Sequence, residues 1–294
     1  MMVESSVLGS MPIFISTGGA KGISATSVAR DLITNGLNRI ELSGGIFVEN
    51  ISNELANLKG GLNSLMIHNY FPIPENHFVM NLASMNHDIF TRTRNHIIES
   101  IKLTSEIDSK FYAVHAGFLL DPSPSELGNL IKKRMLVDRR IAYELFVERF
   151  CNIADIAISY GVRLLVENNV FSHQNLQEQG ENSLLLVEPQ EILDFIADCD
   201  GKAGLLLDLG HLKVSSTTLR FDLIEAISIL NPIVEGYHLH DNDSISDEHK
   251  TFTNETWFIS KLKRDAHFYT LEIHSLDIPD ILSSVKILKE SLEV

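Results

Sequence analysis

Only two cysteines occur in the 294 residues, Cys151 and Cys199. Both fall in stretches patterned as helix, so they read as small buried apolar side chains rather than as a disulfide or a ligand pair. Without cysteine ligands a structural zinc knuckle is excluded. No apolar run is long enough to span a membrane. The opening MMVESSVLGSMPIFIS has an early acid and no basic stretch ahead of a long apolar one, so it does not read as a signal peptide, and the expected compartment is the cytoplasm. Cations are scarce: 24 Lys and Arg stand against 39 Asp and Glu, a formal net charge of −15. Such a surface repels nucleic-acid phosphates on average, so nucleic acid is not an expected partner. The one basic cluster, Lys132, Lys133, Arg134, Arg139 and Arg140, reads as a solvated face at the start of a helix. The glycine-rich STGGAKG (16–22) lacks the dinucleotide spacing G-x-G-x-x-G and reads as a permissive loop.

What is present is an alternation of short, nearly continuous apolar runs with longer helical patterns. Strands are expected at 12–17, 39–43, 64–70, 111–117, 163–169, 203–209, 234–241 and 268–274. Helices are expected at 25–36, 48–58, 88–107, 137–160, 189–199, 219–230, 254–264 and 278–291. Ser24 and Ser125 suit helix caps, Pro189 a first helical turn, and Gly161 the left-handed residue after a helix. Strands that are apolar throughout belong to parallel sheets covered by helices. Eight strand–helix pairs with nothing left over predict one (β/α)8 TIM barrel across 1–294.

Nine side chains of metal-ligand type sit at or just past the ends of these runs. His68 ends SLMIH, His115 ends FYAVH, and Glu167 ends RLLVE. Asp208 and His211 close GLLLDLGH, His238 lies in EGYHLHD, Asp247 and His249 follow in the next loop, and Glu272 lies in FYTLEIH. Burying such groups singly is costly, so several that converge imply a shared partner, and a metal cluster is the obvious one. The barrel brings strand ends from across the chain to one rim. In Asp208-Leu-Gly-His211, Gly210 permits a tight turn that lets both ligands face one site. In Asp247-Glu-His249 the i, i+2 spacing puts both on one side of an extended segment. Mixed imidazole and carboxylate ligation suits one to three divalent ions, with Zn2+ or Mn2+ expected first.

The pattern resembles the xylose isomerase-like TIM-barrel superfamily, which includes sugar isomerases, ketose 3-epimerases and the endonuclease IV zinc phosphodiesterases. The resemblance covers nearly the whole chain and is strongest over 64–275. The ketose epimerase pattern implies one ion held by Glu167, Asp208, His238 and Glu272, with Glu167 and Glu272 flanking the substrate and moving protons. The endonuclease IV pattern orders its zinc ligands His, His, Glu, Asp, His, His, Asp, His, Glu, and this chain repeats that order. Asn169 stands where xylose isomerase has a lysine, and no arginine follows His238 as it does in the epimerases.

Two activities follow from the resemblance. The first is a sugar or sugar-phosphate isomerase or epimerase, with Glu167 and Glu272 as catalytic base and acid around an enediolate. The alternative is an endonuclease IV-like phosphoester hydrolase with Glu167 as bridging carboxylate. A small sugar or phosphosugar is the expected partner, and homo-oligomerisation is left open. His240, Phe71 and Trp257 are the expected substrate contacts, with Phe118 and Phe171 as further pocket aromatics. The βα loops at 71–87, 118–136 and 170–188 are candidate lids, while NYFPIPENHFVMNLAS (69–84) has no assigned role. His77, His87, His96, His173, His267 and His274 are expected mostly on the surface.

Overall fold

The computed structural model describes residues 11–19 and 22–293. The leader reading therefore falls partly outside the described residues, as does part of the STGGAKG loop. The predicted barrel is what forms: eight parallel strands close in chain order, each paired with its neighbours and the last with the first. The strands are β1 (Ile13–Ser16), β2 (Arg39–Leu42), β3 (Ser64–His68), β4 (Phe111–His115), β5 (Arg163–Glu167), β6 (Gly204–Asp208), β7 (Val234–Leu239) and β8 (Phe268–Leu271). All eight lie within the predicted runs, and each ends one to three residues short of its run. No helix among the described residues is long and apolar enough to cross a membrane.

The helices are α1 (Ala25–Thr34), α2 (Ile51–Leu58), α3 (His87–Glu106), α4 (Arg139–Ser159), α5 (His173–Gln179), α6 (Pro189–Asp198), α7 (Leu209–Leu219), α8 (Leu223–Leu230) and α9 (Ile278–Glu293). Ser24 caps α1 by accepting from the Ser27 N–H, and Pro189 opens α6, both as expected. Gly161 adopts φ +70 just past α4, also as expected. At Pro124–Glu126, a short 3-10 turn, the cap is Ser123 rather than Ser125, because Glu126 completes a reciprocal capping box with it. One helical expectation is trimmed and another fails. The helix expected over 219–230 forms as α8 from Leu223, and α7, which was not expected, precedes it. The predicted helix at 254–264 is reduced to a 3-10 turn at Ile259–Lys261, and its aromatics Trp257 and Phe258 pack edge to face instead.

Period-two alternation along the strands stacks the barrel interior in layers. Phe14, Met66, Ala113, Leu165, Leu206 and Phe268 form an apolar plug. Gly236 lies level with this plug, and a Cβ there would sit 2.3 Å from the Phe268 ring, so the smallest residue lets that ring fill the axis. Two residues further along the same strands come His68, His115, Glu167, Asp208 and Thr270, with His238 two beyond Gly236. The apolar layer is the floor of the site, and the next inward layer is polar. A separate, larger core fills the space between the sheet and the helices and holds both Phe71 and Tyr112.

Candidate metal centre

All nine candidate ligands converge at the carboxyl end of the barrel. Their ligand atoms fall into close groups: His68, His115 and Glu167; Glu167, Asp208, His238 and Glu272; and His211, His240, Asp247 and His249. Glu167 belongs to the first two. Its Oε2 lies 3.1 Å from His68 Nε2 and 3.3 Å from His115 Nδ1. Its Oε1 lies 3.4 Å from His238 Nδ1 and 3.5 Å from His211 Nδ1. The two carboxylate oxygens thus face different clusters.

The residues fit divalent ions on the structure's own terms. Glu167 is fully buried, yet neither oxygen makes an aligned hydrogen bond, and the same holds for both His238 nitrogens, His68 Nδ1 and Asp247 Oδ1. Buried polar atoms are ordinarily satisfied, so a cluster of orphans surrounded by donors of ligand chemistry calls for a cation. The second nitrogen of several imidazoles is already engaged, as it is around metal-binding histidines. His211 Nδ1 sits 2.9 Å from the Asn168 carbonyl and His249 Nδ1 2.8 Å from that of Glu272. A carbonyl only accepts, so each Nδ1 carries hydrogen and each Nε2 faces Asp247, at 3.3 and 3.0 Å.

Electrostatics among the cluster's own side chains follow from this crowding. Burial opposes ionisation of Glu167, but the His115, His68 and His238 imidazoles outweigh it and hold the carboxyl well below its usual range. Asp247 is held low against burial by His211, and Glu272 by His238. Conversely, burial pulls His211 and His238 down, yet the facing carboxylates leave both well above the usual imidazole value. His249 is raised to about 9, since Asp247 and Glu272 outweigh its burial. His115 goes the other way: burial wins and its pKa is lowered.

Local structure differs from the sequence reading at both sharpened spacings. Asp208 does not lead into a turn but is the N-cap of α7, accepting from the His211 N–H at 2.7 Å. Gly210 is helical, and its bareness has another cause: a Cβ would lie 1.9 Å from His240 Cε1. Asp247 and His249 are not in an extended segment, because His249 is left-handed at φ 49; that bend brings its Nε2 to Asp247.

One ligand-type residue escaped the sequence reading. Glu41, mid-strand in RIELS, is 2% exposed, with Oε1 2.9 Å from His238 Nε2 and Oε2 accepting from Thr270 Oγ1 at 3.0 Å. It backs His238 and leaves Nδ1 for the Glu167 cluster. A carboxylate between Ile40 and Leu42 in a strand was the available signal.

A cavity of about 550 Å³ opens above the cluster. His115, His211, Asp247, His249 and Glu272 reach its wall, whereas Glu167 does not. None of the three expected substrate contacts lines this cavity. His240 is fully buried behind Asp208, with Nε2 3.1 Å from Oδ1, and it groups with candidate ligands instead. Phe71 is 2% exposed in the main core, and Trp257 packs against that core, so neither lines the cavity. Phe171 is buried in a satellite core, while Phe118 does reach the cavity. Of the remaining histidines, His96 is buried and the others are exposed, with His173 and His274 on the cavity wall.

The loop at 118–136 and α5, formed inside the loop at 170–188, supply the outer wall. It carries amides and hydroxyls, among them Asn129, Asn169, Ser172, Gln174, Asn175 and Gln177. Among the described residues, no lysine or arginine lines it. The basic cluster is spent elsewhere: Arg134 pairs with Glu126 and Arg139 with Glu191.

Comparison with known proteins agrees with this architecture. Residues 35–293 match the family described as xylose isomerase-like TIM barrel. The chain belongs to that family. Over 220 residues, 73% of this chain and 67% of the relative, it is 26% identical to the uncharacterized protein MJ1311 of Methanocaldococcus jannaschii. A solved D-tagatose 3-epimerase-like protein superposes with a TM-score of 0.72 at 22% identity, covering 96% of this chain and 97% of that one. The TTHB071 protein of Thermus thermophilus, solved after soaking with ZnCl2, superposes at 0.61 with 16% identity, over 95% and 99%. At these identities the solved structures speak to the fold alone.

Proposed function

We propose that this barrel is a metal-dependent phosphoester hydrolase acting on a small, sugar-bearing substrate. The observation that carries the proposal is the place of Glu167: fully buried, turned by one oxygen to each of two ligand clusters, and absent from the cavity wall. That is the position of a bridging ligand. A proton shuttle must reach a substrate carbon or hydroxyl, and only Glu272 of the two glutamates touches the cavity. His68 and His115 complete the first cluster, Asp208, His238 and Glu272 the second, and His211, Asp247 and His249 the third. Divalent ions held by these residues would supply Lewis acidity to phosphoryl oxygens and lower the pKa of water.

The chain's own groups then set what enters. The amide and hydroxyl wall offers hydrogen bonds to sugar hydroxyls. With no lysine or arginine on that wall among the described residues, and with net charge −15, a polyanion such as duplex DNA finds little there to hold its backbone. A second reading, the sugar epimerase, is supported by the grouping of Glu167, Asp208, His238 and Glu272 within 4.8 Å. The test is a metal-replete assay of phosphate release from sugar phosphates and p-nitrophenyl phosphoesters, run beside deuterium uptake from solvent into ketoses. Metal-dependent phosphate release that vanishes on chelation is expected. Deuterium entering a sugar carbon with no ester cleavage would replace this reading with the epimerase.

A further inference from the structure

The 69–84 loop builds a second cavity, of about 230 Å³, beside the first. The two share Asn69, His115, Phe118 and Leu127, so the smaller one opens next to the first ligand cluster. Its own wall is Tyr70, Phe78, Val79, Met80, Ile97 and Val114, and among the described residues no charged side chain lines it. Aromatic faces are concentrated there. Tyr70 stacks against His77 at 6.0 Å, and Phe78 stands edge-on to Tyr70 at 5.8 Å.

The pocket is preformed. The Asn81 amide donates to the carbonyls of Phe118 and Leu120 and to Asp121 Oδ1, at 3.1, 3.2 and 2.9 Å. Asn81 Oδ1 accepts from the N–H groups of Ala83 and Phe118. The Arg92 guanidinium lies 4.2 Å from the Phe78 ring centroid, and Tyr70 Oη accepts from the Phe78 N–H at 2.7 Å. This stitching holds the loop in place ahead of any ligand, which lowers the ordering cost of binding. The polar side chains among the lining are Asn69, Tyr70, His77, Thr93 and His115.

We infer that this pocket binds an uncharged planar ring carried by the substrate, so that ring-bearing phosphoesters are preferred over bare sugar phosphates. The inference rests on the phosphoester reading above. An apolar pocket sized for one ring system and walled by aromatics favours a flat group through burial and ring–ring contact. Its shared wall with the main cavity leaves the sugar among the amides and the ester beside the ligand clusters. An aryl group or a nucleobase supplies the same chemistry.

Equilibrium binding tests this on the metal-loaded protein with phosphonate analogues, which resist ester cleavage, of ribose 5-phosphate, phenyl phosphate and adenosine 5′-monophosphate, and with adenosine. Ring-bearing phosphates are expected to bind at least tenfold tighter than ribose 5-phosphate. Met80→Trp, filling the pocket from its half-buried rim, is expected to abolish that margin and leave ribose 5-phosphate within twofold. Phe78→Ala, which cuts one wall away, serves if the larger side chain prevents folding, and is expected to narrow the margin as well. The phenyl and adenine arms distinguish an aryl from a nucleobase occupant. Equal binding of ringed and ringless phosphates, or a margin that survives both variants, overturns the inference. If adenosine binds as tightly as its phosphate and still responds to Met80→Trp, the pocket stands and the phosphoester reading falls.

Discussion

Replacing Glu167 with glutamine should weaken the binding of two ions, not one and not three. The amide keeps the shape but loses the charge and one acceptor oxygen. His68 and His115 are then left without their carboxylate, while Asp208, His238 and Glu272 lose one ligand of four. Altering partners that merely touch a ligand weakens metal binding about 10–100-fold, so losing a shared anionic ligand should weaken each of the two ions by at least about 100-fold. That is about 2.7 kcal/mol for each ion. Binding to the native state stabilises it by about 4.1 kcal/mol at 1,000 times Kd, so the metal-induced stabilisation should fall to roughly a third at each of those positions. At about 2–4 °C per kcal/mol in a large domain, the zinc-induced rise in Tm should shrink by about 10–20 °C. The cluster of His211, Asp247 and His249 lacks Glu167 and should keep its ion. Equilibrium dialysis followed by elemental mass spectrometry reads the stoichiometry, and calorimetry with and without chelator reads the Tm. A variant that binds all its zinc with unaltered affinity, or in which every ion weakens together, would refute the bridging assignment.

The remaining predictions concern the groups around this carboxylate. Glu41→Gln should weaken the ion at His238 by about 10–100-fold and change the visible spectrum of the cobalt-substituted protein, leaving the His211 cluster untouched; unchanged affinity and spectrum would remove Glu41 from any positioning role. His249, raised from 6.5 to about 9, stabilises the ion-free fold fully below 6.5, and that contribution is lost as pH rises through about 9. An ion needs the neutral imidazole, so metal affinity should climb across the same window with proton release, which calorimetry in buffers of different ionisation enthalpy would reveal; a pH-independent affinity contradicts it. Gly210→Ala should destabilise by about 1–3 kcal/mol through collision with His240, despite the better helix propensity of alanine. A thermal melt at or above that of the unaltered protein would show that His240 yields without cost.

Much of this was legible in the chain because a parallel barrel writes its strands as apolar runs. The endings of those runs were the informative part: SLMIH, FYAVH and RLLVE each place a ligand where the backbone leaves the ladder. Errors arose where a local pattern had two structural outcomes. Asp208-Leu-Gly-His211 suits a glycine turn as well as a capped helix, and contact with His240 just past the end of β7, not backbone freedom, accounts for Gly210. The segment at 254–264 has helical spacing, yet its aromatics pack onto the core instead. Glu41 was passed over because it lies inside a strand run rather than at its end, although its side chain faces the same interior.

Sequence alone determined the barrel, the chain order of the ligands and the acidic, cysteine-poor character of the protein. Each depends on composition or on spacing within a single strand, where a period of two decides which side chains face inward. Tertiary structure decided which candidate ligands lie together, which glutamate reaches the cavity, which imidazole nitrogen remains free, and that the 69–84 loop walls a second pocket. Those depend on closing β1 onto β8 and on loops folding over the rim. Such closure brings Glu41 to Thr270 and His238 across some two hundred residues, a distance no local periodicity encodes.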